Sequence, residues 1–186
     1  MKPDPELLRE IGLNSTNVET SWAGAADDLA RGLNFWTRAQ IGRDRALAVR
    51  AAITACKLVI DDYTGEQEGL PPRSYVEDMI QLIERWLDAP TKDNTELVRG
   101  ALDVTRSAHA WQRDKDVESS WILEAVDHAS LAVWSGDKAS YIVPMDYATC
   151  ASRSVACVLH AMLDAGKPEA EAISQIIDAV HTASAM

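Results

Sequence analysis

The stretch PPRSYVEDMIQLIERWLDAP, residues 71–90, leaves the chain little choice of local structure. Val76, Met79, Ile80, Ile83, Trp86 and Leu87 recur at steps of three and four, the spacing that gathers side chains on one face of an α-helix. Glu77, Asp78, Gln81, Glu84 and Arg85 fill the other face. Pro71 and Pro72 stand where a helix starts and Pro90 where it stops, because a proline lacks the amide that an interior turn would use. Ser74 and Glu77 have the S-x-x-E spacing of a capping box, so each side chain is expected to satisfy an orphan amide at the helix start. A helix apolar on one side must bury that side against something.

The rest of the chain supplies partners of the same kind. PELLREIGL predicts a short N-terminal helical turn, and 17–36 a helix capped by Asn17, weakened by Gly24 and Gly32 at about 1 kcal/mol each relative to alanine. Residues 43–62, RDRALAVRAAITACKLVIDD, are apolar round most of a helical circumference and predict an interior helix. YTGEQEGLPP breaks it with two glycines and two prolines. Residues 93–114 predict another one-sided helix. Residues 117–134 predict one apolar nearly all round, a candidate for the centre of the fold. A linker follows, with a possible extended piece at 141–143, then a largely apolar helix over 145–166 that stops at Gly166. A last helix opens at Pro168. The fold class is therefore all-α: a single-domain bundle of seven to eight helices with alanine-rich packing faces. It spans residues 1–186, with residues 1–40 as a less regular N-terminal helical extension.

With 47% apolar and 25% charged residues, 186 residues suffice for one sizeable core. No run of about 18 apolar residues predicts a membrane span. The amino end, MKPDPELLRE, has acids and prolines where a secretory leader would be apolar, so the expected compartment is the cytoplasm. Cys56, Cys150 and Cys157 lie in apolar helical surroundings and read as buried free thiols.

Little in the chain carries chemistry. No glycine-rich phosphate loop, nucleophile elbow or Cys-x-x-Cys pair occurs. Glu124 and His128 fall one turn apart and could share a metal, but helical di-metal sites repeat Glu-x-x-His on two helices, and no second copy exists. The plainer reading is a histidine packed beside Trp121. Cys157, His160 and Asp164 share a helical face, yet neighbours on one straight helix point outward side by side and seldom meet at one substrate atom. Neither a catalytic residue nor a metal or cofactor is expected. Of the six tryptophans, Trp86, Trp111, Trp121 and Trp134 occupy apolar helical positions and read as core anchors. Trp22 and Trp36 are the candidates for a partner-facing ring.

The charge is more informative. The net value is −11, unsuited to nucleic acid, whose phosphates call for a surplus of lysine and arginine. Residues 61–96 hold ten acids against three bases. Asp61, Asp62, Glu66 and Glu68 flank the long loop, and Glu77, Asp78 and Glu84 follow on the next helix. One reading is a solvated face that keeps the protein soluble. The other is a patch that steers a basic protein partner into contact.

The order of these features, over residues 45–165, resembles the all-helical immunity proteins of bacterial polymorphic-toxin systems. The stretches that carry the resemblance are RALAVRAAITACKLVI, the loop ending in Pro72-Arg73, SYVEDMIQLIERWL, and the alanine-rich helix with Ala108-His109-Ala110. Asp88-Ala89-Pro90 departs from the small glycine turn expected after Trp-Leu. The resemblance implies a cytoplasmic, non-enzymatic bacterial protein that masks a cognate toxin domain. On this reading Asp61, Asp62, Glu66, Glu68, Glu77, Asp78, Glu84 and Trp36 face a basic toxin. A helical adaptor of a defence or signalling complex is the alternative, followed by a metal-dependent helical enzyme using Glu124 and His128.

Overall fold

The computed structural model describes residues 25–65, 70–108, 120–136 and 145–186. Among these residues there are seven α-helices and no strand: α1 (Ala25–Ile41), α2 (Arg45–Cys56), α3 (Arg73–Asp88), α4 (Lys92–Ala108), α5 (Trp121–Trp134), α6 (Tyr147–Asp164) and α7 (Glu169–Ala185). The all-helical expectation holds. The N-terminal turn, His109, Trp111, Trp22, Glu66, Glu68 and the extended piece at 141–143 lie outside the described residues.

Each boundary has a local cause. Gly42, at φ 57°, ends α1 in a left-handed conformation that costs glycine nothing. Asp44 then caps α2 by accepting a bond from the Leu47 amide at 3.0 Å. The helix expected to run unbroken to residue 62 instead stops at Cys56. The Leu58 and Val59 amides reach back only three residues, to Ala55 and Cys56, and a 3₁₀ turn follows at Ile60–Asp62. Asp61 and Asp62 explain why: at the carboxyl end of a longer helix they would face its negative pole. Asp146 caps α6, and Gly166 at φ 80° closes it, with the Lys167 amide bonded to the Met162 carbonyl.

The capping box predicted for α3 does not form. Pro72 is the N-cap, without a side-chain cap bond, and Ser74 already lies inside the helix. Glu77 is taken instead by Arg73, whose Nε donates to its Oε1 at 2.8 Å. Here both partners of Glu77's bond are charged, whereas a capping box would offer its carboxylate a neutral backbone amide. At the other end, Asn94 Nδ2 donates to the Ala89 carbonyl at 2.8 Å, and Trp86 Nε1 donates to Thr95 Oγ1 at 2.9 Å. The Asn94 bond satisfies a carbonyl at the end of α3, and the two bonds together tie α3 to the start of α4.

All seven helices contribute to one hydrophobic core. The hub is α6, which packs most extensively on α5, then on α1 and α2, and more lightly on α7. Alanines at positions 48, 51, 52, 55, 125, 129, 132 and 151 are buried at these contacts and allow close helix approach. One polar chain crosses the α2–α5–α6 junction. Ser154 Oγ donates to the Ala125 carbonyl at 2.7 Å, which spends its only proton. The Cys56 thiol, 3.4 Å away, is therefore the donor to Ser154. On the periphery, α4 rests mainly on α5 and α3, with the Arg99 guanidinium 5.1 Å from the centre of the Trp134 ring.

Candidate functional site

The acids predicted to form one patch are not equivalent in the structure. Arg73 holds Asp61 through Nη2 at 2.9 Å and Glu77 through Nε at 2.8 Å, and its Nη1 donates to the Asp61 carbonyl. Glu77 and Asp61 together raise the guanidinium pKa. Glu84 is paired with Lys57 of the segment after α2. Three acids of the predicted patch are thus already paired with two cations of the same chain. Asp62 and Asp78 are exposed and have no ion-pair partner among the described residues. Asp88, Asp93 and Glu96, beyond the predicted patch on α3 and α4, are also exposed and have no ion-pair partner among the described residues.

Trp36 is not a partner-facing ring. It is 4% exposed and meets the His181 ring edge-on at 5.5 Å, joining α1 to α7. Its placement follows from α7 lying beside α1, a contact between opposite ends of the chain that local periodicity does not encode. The reverse holds for Trp121. Read as a core anchor, it is 38% exposed at the first turn of α5, stacked on His160 at 4.3 Å rather than on His128. With Asp62 and Asp164 it lines a cleft of about 380 Å³.

The groups considered for chemistry lie on α5 and α6. Cys157 is buried, and burial, with a smaller contribution from nearby Glu124, pushes its thiol well above the ordinary range. Cys56 is pushed up to about 11 by burial. A thiol so protonated is a poor nucleophile. Among the described residues no group of three or more histidines, cysteines or acids is placed to hold a metal, so Glu124 and His128 have no third ligand there. No described helix is long and apolar enough to cross a membrane.

A groove of about 800 Å³ lies between α3 and α4. Its floor is Tyr75, Met79 and Leu82 of α3 with Leu97, Gly100 and Ala101 of α4. Leu97 is 44% exposed, large for an apolar side chain on a packed helix. Sequence reading missed this groove. A glycine inside a strong helical pattern, three residues after a leucine, was the available signal.

In comparison with known proteins, the chain matches no family model, no curated protein and no solved structure.

Proposed function

We propose that the protein is a non-enzymatic binding protein of the immunity type, which occludes a basic toxin domain by covering its working surface. The observation that carries this reading is the set of uncompensated acids, Asp62, Asp78, Asp88, Asp93 and Glu96. All are exposed, and all fall within residues 62–96 of a chain with net charge −11. Clustered unpaired charge accelerates encounter with an oppositely charged partner and disfavours like-charged competitors. The burial and raised pKa of Cys56 and Cys157 also favour binding over nucleophilic chemistry.

The test uses the protein encoded by the adjacent gene, where an immunity protein's toxin is expected. Stopped-flow mixing of the two should give an association rate that falls steeply with salt, and the complex should lack the toxin's activity. A rate independent of salt, or no complex at micromolar concentration, would reject the reading.

A further inference from the structure

We infer that the α3–α4 groove is the docking site for an amphipathic helix of the partner, with an aliphatic stripe flanked by lysine or arginine. The inference rests on the binding reading above and adds to it the face and the form of the contact. Its first support is shape. Two antiparallel helices joined by a short turn leave a furrow between them, and a third helix packs into such a furrow by setting its ridge of side chains between theirs. Here the furrow is lined by Met79, Leu82, Leu97 and Ala101, and Leu97 is exposed.

The second support is Gly100. A glycine inside a helix costs about 1 kcal/mol relative to alanine, a cost that a packing role within the fold would offset. None exists here: a Cβ built on Gly100 would meet no atom within 4 Å. Its missing side chain serves no neighbour in this chain. It deepens the groove, where an incoming helix backbone can approach closely.

The third support is charge, and it selects the occupant. Asp78 and Glu96 line the groove without ion-pair partners among the described residues, and Arg85 lines it as well. Asp88 and Asp93 add two further unpaired acids toward the α3–α4 turn. A second copy of this chain would set the same acidic rims against each other, at a net charge of −11 per copy. A helix with basic flanks meets the rim favourably.

The probe is a synthetic peptide of about 18 residues, long enough to form a helix on docking, with leucines at steps of three and four and lysines beside them. A second peptide carries the same leucines with glutamates in place of the lysines. Each is titrated into the full chain and followed by fluorescence anisotropy. Saturable one-to-one binding of the lysine peptide is expected, weakened at least about tenfold by Gly100→Leu and by Leu97→Lys. Neither variant should lower the thermal midpoint, since Gly100→Leu fills open space and Leu97 is already exposed. The inference is overturned if the lysine peptide fails to saturate, if both variants bind it as the parent does, or if the glutamate peptide binds equally well. It is also overturned if the parent self-associates and Gly100→Leu abolishes that association, which would make a second copy the occupant. The two proposals fail separately. If the adjacent gene's product binds Gly100→Leu as tightly as the parent, the groove alone is rejected. If it binds neither while the lysine peptide still docks, the inhibitor reading alone is rejected.

Discussion

Arg73 stands between Asp61 and Glu77, 2.9 Å from the Oδ1 of one and 2.8 Å from the Oε1 of the other. One guanidinium thereby clips the 3₁₀ turn to the first turn of α3. The relationship divides a run of acids that look alike in sequence into two kinds. Asp61, Glu77 and Glu84 are held by cations of their own chain, whereas Asp62 and Asp78 have no ion-pair partner among the described residues.

Charge reversal should expose that division. Asp62→Lys and Asp78→Lys are expected to slow association with the basic partner and to flatten its salt dependence, with no change in thermal midpoint. Asp61→Lys should slow association less for the same change in net charge, because the freed Arg73 and Glu77 rearrange around it, and should lower the midpoint slightly. Stopped-flow rates across a salt series, with thermal scans of each variant, check the ordering. Equal rate losses at Asp61 and Asp62 would mean that only net charge matters.

Tyr63 anchors the loop that follows the turn. Its ring is buried, and its hydroxyl donates to the Pro71 carbonyl at 2.6 Å. Tyr63→Phe keeps the ring and leaves a buried carbonyl unpaired, a loss of about 1–3 kcal/mol. Urea unfolding should show the midpoint falling at an unchanged slope.

The thiols give a pH prediction with a definite sign. Burial raises Cys56 to about 11, and Cys157 is raised as well. Unfolded cysteine ionises near pH 8.5, so above that pH the unfolded chain sheds protons that the folded chain retains. The thiol contribution to stability should be constant below about pH 8.5 and fall as pH rises toward 11, with buried Tyr63, raised to about 12, extending the loss upward. Cys56→Ala should start from a lower stability, through the cavity it leaves, but decline less steeply over that range. In neutral buffer none of the three cysteines should react with iodoacetamide until the protein unfolds.

What was legible in the sequence, and what was not, follows from the reach of each signal. The inner stripe of α3 could be read because Val76, Met79, Ile80, Ile83 and Trp86 report their common face through spacing alone. Gly166 marked the end of α6 for a similarly local reason. The capping box failed because Ser74-x-x-Glu77 is satisfied by pattern, whereas the structure depends on competition from Arg73. Trp36 and Trp121 exchanged their expected roles because burial depends on which distant helix arrives: α7 covers Trp36, and Trp121 sits at the very start of α5. The groove was invisible for the same reason. Leu97 and Leu82 belong to different periodic patterns, and only the angle of the α3–α4 turn brings them to one furrow.

Asp146 links capping to acid stability. It precedes α6, the hub of the core, and its Oδ1 accepts from the Thr149 amide at 2.7 Å. Burial alone would raise its carboxyl pKa, but the bonds from Thr149 and the charge of Arg38, 3.8 Å away, outweigh that and hold it below the ordinary value. A lowered folded pKa favours the ionised form in the folded state. The resulting stabilisation is fully present above the unfolded pKa of about 3.9 and disappears as pH falls through the folded value. Asp146→Ala should therefore cost about 1 kcal/mol at neutral pH, as the loss of a good N-cap does. Asp146→Asn, which keeps a cap oxygen without the charge, should cost less. The difference between parent and Asn variant should shrink as pH falls from neutral through the folded pKa, since Asp146 then loses its charge. Urea denaturation at pH 7 and at pH 3 measures both differences, and a gap between parent and Asn variant that is equal at the two values would show that the charge of Asp146 does not stabilise α6.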